Sequence, residues 1–533
     1  MDLNNFSLIY PSLETKQAHE RGEATPSIDR FVLDELGMTD LISLKNSELS
    51  EYFTTDPAVI RYRLAVFADM LANPSISATL NSLIPILGDI LELRRLDAES
   101  GDTASYLSSM TEIELYISCV DLLHEGFSIL KGKLKSEAYQ TFAARIEELA
   151  ESDYYRDLNQ KLSEMTERVR EIKSVTIGVN LDAQLRPREA GVLSINPEAF
   201  RSGDVIEKIL RLNFKDDEYT CIASLVPFGK KQNENQKTAL SLAFNSAIGE
   251  VYKSSLHSWK CIVRSYVLDN TDFLLDMLGE IEFVTKATAA LERLEAKGYP
   301  LCSPDLRPMD EAAFDAKGLY NPSVAVKIDD KVVDNDLVFD DKARIYVLTG
   351  PNRGGKSVIT CALGLSQAML QLGMFLPAES VTISPVDAIC THFPTGADDT
   401  IDKGRLGEEC ARLDEILHLI TGNSLVLLDE SLSSTGSFEA SYIAAEVLGG
   451  LSVIGCRTLF STHLHELAAE IDNINKRAAE DGGKPIDTLV AGIEDGRRSF
   501  KILRQKPDGK SYARDIANRY GLSYEGITNR HKK

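Results

Sequence analysis

Ile345-Tyr346-Val347-Leu348-Thr349-Gly350-Pro351-Asn352-Arg353-Gly354-Gly355-Lys356-Ser357 is the stretch whose reading decides the fold. Its first four residues are apolar and β-prone, and they run directly into the pattern G-x-x-x-x-G-K-[ST]. Glycines let the backbone curl so that its N–H groups point inward, and a helix starting there adds the positive end of its dipole. A β- or γ-phosphate fits such a nest. Lys356 would reach the β- and γ-phosphates, and the Ser357 hydroxyl would ligate Mg²⁺. The backbone from Gly350 through Pro351, Asn352, Arg353, Gly354 and Gly355 to Val358 would wrap the phosphates. The expectation is strand, phosphate loop and helix, and therefore a site for ATP with Mg²⁺.

Further along, Asn423-Ser424-Leu425-Val426-Leu427-Leu428-Asp429-Glu430 is an apolar strand ending in two carboxylates. Asp429 can hold Mg²⁺ through its water shell, and Glu430 is then placed to polarise an attacking water. Together with the phosphate loop this predicts two adjacent strands of one sheet, with both functional ends at the carboxyl edge. Thr458-Leu459-Phe460-Ser461-Thr462-His463 is a third such strand, ending in a histidine whose neutral imidazole can donate to a phosphate. His465 reads as a surface or capping residue.

The chain of 533 residues is too long for one core and predicts several domains. Its hydrophobic content of 43% and charged content of 26% are those of a globular protein. The formal net charge of −23 repels nucleic acid and anionic membranes as a whole-molecule field, so any DNA contact has to be local. The N-terminus lacks a basic region followed by an apolar run. No uninterrupted apolar run approaches the roughly 20 residues of a membrane span, so the expected location is cytoplasmic. Eight scattered cysteines without a C-x-x-C pair argue against a zinc site or a disulfide framework.

Between Pro57 and about Glu171 the pattern is helical. Ile60, Leu64, Phe67 and Leu71 form one apolar stripe, and Asp56-Pro57 supplies an N-cap followed by proline at the first helical position. Asn73-Pro74 ends that helix; others are expected over Ile76–Leu96, Ile113–Leu130 and Glu137–Arg170. At Ser174 the text turns to strands, Val175–Asn180 and Gly191–Ile195, with a further one at Tyr219–Val226. Nine basic and eight acidic residues lie between Lys173 and Lys231, close to balance within an acidic chain. Helical text resumes from Gln236 to about Lys297, with Phe273, Met277 and Ile281 on one stripe. Gly298-Tyr299-Pro300 marks a boundary, after which short apolar strands alternate with helices, as in a parallel α/β sheet.

This set of motifs resembles the MutS family of mismatch-repair ATPases, an ABC-class group. The phosphate loop is close to that family's TGPNMGGKST. Ser424–Glu430 and Phe460–Leu467 resemble its Walker B and histidine segments, Ala397-Asp398-Asp399 the start of its signature loop, and Lys510-Ser511-Tyr512 with Ala517 and Gly521-Leu522 its closing K-S-Y-G helix. The resemblance implies a multidomain α and α/β architecture. A helical lever (1–173 and 236–300) would be interrupted by a small β-containing clamp-like insertion (174–235). A P-loop ABC-type ATPase domain (301–533) with a mainly parallel sheet and a C-terminal dimerisation segment would follow. It also implies ATP hydrolysis with catalytic Glu430, His463 and Lys356, Mg²⁺ on Ser357 and Asp429, and nucleotide sandwiched between two copies of the chain.

Three departures from the family pattern stand out. The mismatch-reading N-terminal domain and its connector have no counterpart in the text. The signature loop Lys403-Gly404-Arg405-Leu406-Gly407-Glu408-Glu409 replaces the family's Gly-Arg-Ser-Thr-Phe. Without those hydroxyls, Gly404, Arg405 and Gly407 are the residues left to act in trans, by backbone N–H at the two glycines. The loop after Glu430 keeps hydroxyls at Thr435 and Ser437 for an inter-subunit contact. The expected function is a homodimeric DNA clamp for double-stranded or branched DNA, related to repair or recombination, with repair proteins as further partners. The alternative is a nucleotide-gated scaffold that binds protein. A membrane-transporter subunit is set aside because the helical arm belongs to the same chain.

Overall fold

The computed structural model describes residues 6–100, 105–170, 174–184, 187–196, 198, 272–394, 404–494, 497–507 and 520–531. The expected strand Tyr219–Val226, most of the charge count up to Lys231, the helical text from Gln236 to residue 271, Ala397–Asp399, Lys403 and the Lys510–Tyr512 segment with Ala517 lie outside the described residues. In chain order the strands are β1 (Ser27–Ile28), β2 (Ser174–Leu181), β3 (Pro187–Asn196), β4 (Asp305–Leu306), β5 (Phe314–Leu319), β6 (Asn335–Phe339), β7 (Ile345–Thr349), β8 (Ser380–Ile383), β9 (Ala388–His392), β10 (Leu425–Asp429), β11 (Arg457–Ser461), β12 (Ile486–Glu494) and β13 (Arg497–Arg504). Contacts divide the chain into two units. One is drawn from Met1–Phe6, Asn73–Leu134 and Tyr139–Glu282, the other from Ser7–Ala72, Lys135–Ala138 and Phe283–Lys533.

The first unit is built on long helices. Along Pro74–Ser100, residues Ile76, Leu80, Leu83, Leu87 and Ile90 recur at alternating spacings of four and three and are all fully buried. Arg94 closes the end of that stripe with charge-assisted bonds to Glu112 at 2.7 Å and Asp272 at 2.6 Å. The single helix expected over Glu137–Arg170 is instead two, Glu137–Glu151 and Asp153–Arg170. The reason is local: the Ser152 hydroxyl accepts from the Tyr155 N–H at 3.0 Å and caps a new helix start, although the apolar periodicity runs on. The expected hairpin is present, with β2 and β3 antiparallel from Ser174 opposite Asn196 to Leu181 opposite Pro187.

In the second unit, Asp56 accepts from the Ala58 N–H at 2.7 Å and the helix starts at Pro57, as the sequence predicts. Of the stripe along it, Ile60, Leu64 and Phe67 are buried. A seven-stranded sheet in the order β1-β9-β10-β11-β7-β12-β13 is parallel throughout except for the edge pair β12 and β13. Every residue of β7, β9, β10 and β11 is buried, as expected of strands covered on both faces. A smaller sheet, β4-β8-β5-β6, lies in the same unit. The short edge strand Ser27–Ile28, far upstream in sequence, pairs with Ala388–Ile389 of β9.

Among the described residues, two helices, Pro74–Arg95 and Ser437–Ile454, are long and apolar enough to cross a membrane by length and composition. Ser437–Ile454 places Ala440, Ala444, Leu448 and Leu451 in the core beside the parallel sheet. Burying leucines in this way contributes about 1.5–3 kcal/mol each, while Phe438, Tyr442 and Val453 of the same helix are exposed.

Candidate functional site

Three strand ends meet at the carboxyl edge of the large sheet. β7 runs into the glycine-rich turn, β10 ends at Asp429 and Glu430, and β11 leads to Thr462 and His463. The expectation that β7 and β10 are neighbours is corrected here, because β11 lies between them. Ser461 stands opposite both Asp429 and Leu348. Its carbonyl accepts from the Glu430 N–H at 2.8 Å, and the next residue, Thr462, donates its N–H to Leu348 at 2.9 Å. The interposed strand thus fixes the height of both strand ends and delivers His463 between them.

The turn itself is held open by backbone geometry. Gly350 has φ 141°, and a Cβ there would stand 2.7 Å from the Ala491 Cβ of β12. Gly355, at φ 92°, precedes the helix Lys356–Gln371 and offers no side-chain cap, so the first N–H groups of that helix have no intrahelical partner. Arg353 is exposed and left-handed at φ 59°; Asn352, Ser357 and Val358 are exposed as well. Lys356 is 4% exposed, and its ammonium donates to the Gly350 and Pro351 carbonyls at 3.3 Å each. Burial holds the Lys356 ammonium below its ordinary value, and the charges of Glu430 and Asp429 act against that.

His463 and Glu430 are in direct contact, Nε2 to Oε1 at 2.6 Å, with both side chains partly open to solvent. Glu430 is left-handed at φ 49°. Asp429 is buried, and its Oδ1 has no hydrogen-bond partner; Thr349 Oγ1 and Ser461 Oγ are buried and unpartnered in the same way. An orphaned carboxylate oxygen of this kind is costly unless a cation or water completes it. One carboxylate and one exposed hydroxyl, Ser357, form the sparse donor set that suits Mg²⁺, which keeps most of its waters and takes further oxygens from phosphate. The residues present fit the ion.

The other expected residues are less closely gathered. Gly404 and Arg405 open the helix Gly404–Leu419, which also contains Gly407. The Thr435 hydroxyl donates to Glu439 at 2.6 Å, within its own chain, at the start of the helix Ser437–Ile454; Ser437 is exposed. Residues that the sequence reading did not single out also line the edge. Phe500, left-handed at φ 58°, lies 3.5 Å from where a Cβ on Gly355 would stand. Asn335 holds that segment, donating to the Phe500 carbonyl at 3.2 Å and accepting from the Ile502 N–H at 2.7 Å. His392, at the end of β9, and Ser431 contact each other at 2.8 Å. A strand ending in histidine at the same edge was the one available sequence signal for His392; nothing local marks Asn335 or Phe500.

The fold and this edge define a mixed α/β class in which a glycine-rich turn links a strand of a mainly parallel sheet to a buried helix. MutS domain V matches residues 346–488, and the MutS2 N-terminal domain matches residues 55–296. Over these residues the chain is similar to the MutS family, whose domain V is an ABC-type ATPase domain. Among its relatives is the DNA mismatch repair protein MutS of Prochlorococcus marinus (strain MIT 9301), 40% identical over 278 residues, covering 50% of this chain and 29% of the relative. The DNA mismatch repair protein MutS of Lactobacillus delbrueckii subsp. bulgaricus (strain ATCC BAA-365 / Lb-18) is 35% identical over 200 residues, 36% of this chain and 23% of that protein. DNA mismatch repair protein MutS 1 of Haloarcula marismortui is 35% identical over 199 residues, 36% of this chain and 21% of its own length. The matches thus span less than a third of the length of these curated relatives.

Proposed function

We propose that this chain binds ATP with Mg²⁺ at the turn 350–358 and hydrolyses it, as half of a composite site in a homodimer that clamps double-stranded or branched DNA in the cytoplasm. The observation that carries the reading is the cluster already assembled at one sheet edge: Lys356 under the turn, the orphaned Asp429 oxygen, and Glu430 bonded to His463. The N–H groups from Gly350 to Val358 bind phosphate oxygens, and Lys356 exchanges its two carbonyl partners for them. Ser357 and Asp429 would hold the metal, which would supply charge neutralisation at the phosphates. Glu430 takes the proton of the attacking water on the carboxylate oxygen that His463 leaves open, and His463 reports on the γ-phosphate through its bond to Glu430. Residues 1–173 and 236–300 serve as a helical lever and 174–235 as a clamp. Gly404, Arg405, Gly407 and Ser437 face the partner copy, with Thr435 bracing that loop through Glu439.

A second reading, a nucleotide-gated scaffold for protein partners, draws support from the net charge of −23. Steady-state ATP hydrolysis with and without homoduplex, mismatched and branched DNA at fixed salt separates the two. Stimulation by DNA supports the clamp, and turnover indifferent to all three supports the scaffold. Glu430→Gln should retain ATP, lose turnover and accumulate as a dimer; unchanged turnover would remove Glu430 from its role.

A further inference from the structure

We propose that His392 is a positioning residue that locks the turn carrying Glu430 to the helix Gly404–Leu419, so that the two move as one; the proposal rests on the ATPase reading above. His392 is the last residue of β9, stands opposite Leu428 of β10, and is 1% exposed. Its Nε2 lies 3.2 Å from the Glu409 carbonyl and its Nδ1 2.8 Å from Ser431 Oγ. A carbonyl only accepts, so Nε2 carries the proton. The neutral ring then accepts at Nδ1 from the Ser431 hydroxyl, whose single hydrogen is shared with the His392 carbonyl, to which it also donates at 3.0 Å. Burial, with Arg412 adding to it, lowers the imidazole to about 4, in keeping with this neutral tautomer.

The turn needs such a hold. Ser431 directly follows Glu430, and the backbone is left-handed at both Glu430 (φ 49°) and Leu432 (φ 64°), a conformation that residues other than glycine adopt only when their surroundings impose it. Besides the bonds of Glu430 to Ser461 and His463, two contacts hold the turn from outside, and both of these end on one residue. His392 joins Ser431 to the Glu409 backbone, and the Ser434 hydroxyl donates to the Glu409 carboxylate at 2.9 Å. On its other side the helix is anchored by Arg412, which donates to the Phe393 carbonyl and to Glu35, each at 3.3 Å. A displacement at the start of this helix, where Gly404 and Gly407 are proposed to meet the partner's nucleotide, therefore reaches Glu430 through two hydrogen bonds.

The full-length chain with Mg²⁺ and ATP tests this. Ser431→Ala and His392→Leu should each lower kcat about tenfold, with ATP affinity within about twofold of the unsubstituted chain. The double variant should be no slower than either single one, because one link is broken in all three. His392→Gln, whose amide can donate to Glu409 while its oxygen accepts from Ser431, should recover most of the rate. Full turnover in Ser431→Ala, additive losses in the double variant, or no recovery by glutamine would overturn the proposal. If His392→Leu fails to fold, Ser431→Ala and His392→Gln still decide it. An unsubstituted chain that binds ATP without hydrolysing it would instead overturn the underlying ATPase reading, and this role with it.

Discussion

Replacing His392 by glutamine should change how the stability of the second unit responds to acid. In the folded chain burial, and after it the Arg412 charge, hold the imidazole at about 4, against 6.5 for an unhindered histidine. Between those values the unfolded chain binds a proton that the folded chain refuses. The stabilisation is therefore complete above about pH 6.5, declines as the pH falls, and is gone near pH 4. At about 1.4 kcal/mol per pH unit the whole effect is about 3 kcal/mol, and about 2 kcal/mol of it is lost between pH 6.5 and pH 5. With His392 1% exposed, solvent screening does not reduce that figure. Urea unfolding of the two chains at pH 7.5, 6 and 5 isolates the term, because every other titrating group is common to both. The unsubstituted chain should lose ground to His392→Gln steadily below pH 6.5. Parallel pH dependences would show that the ring is not held neutral, and the tautomer assigned above would be wrong.

Gly350→Ala should cost on the order of 1–3 kcal/mol in backbone strain alone, since φ is 141°, and its methyl would meet Ala491 at 2.7 Å. Thermal unfolding should register the loss, and nucleotide binding should weaken as β12 is pushed from the turn. Asp429→Asn should leave the nucleotide-free chain folded with no gain in melting temperature, because the amide keeps an unpartnered buried polar atom and gives up the charge that favours the Lys356 ammonium. The same variant should abolish the rise in melting temperature caused by Mg²⁺ and ATP. Binding of duplex DNA should weaken with salt at a slope set by the number of phosphates contacted, and undetectable binding at low salt would favour the protein-scaffold reading.

What the sequence made legible were the features written in single short stretches. The apolar run into Gly350–Ser357, the Asp429-Glu430 ending of β10 and His463 each combine a strand with the turn at its end, and all three arrive at one sheet edge. Features that depend on distant partners were not legible. The placement of β11 between β7 and β10 is a property of the sheet, and no residue in either strand announces it. Ser27–Ile28 is too short to carry a strand pattern and exists because it pairs with β9. Ser152 breaks a helix through its own hydroxyl while the apolar stripe continues past it. The contact between His392 and Ser431 joins residues 39 apart in the chain, and the Thr435 hydroxyl is engaged by Glu439 in a way that residue type alone does not reveal.

Titration calorimetry of a slowly hydrolysed ATP analogue with Mg²⁺, on the unsubstituted chain and on Lys356→Ala, tests the central claim most directly. Lys356 is 4% exposed and lies beneath the turn, its ammonium bonded only to the Gly350 and Pro351 carbonyls among the contacts described. Exchanging those for phosphate oxygens is worth about 3 kcal/mol, so the variant should bind about a hundredfold more weakly, or not measurably, while remaining folded. One site per chain that vanishes with Lys356 is the predicted result. Equal affinity in both chains, or no binding by either, would contradict it.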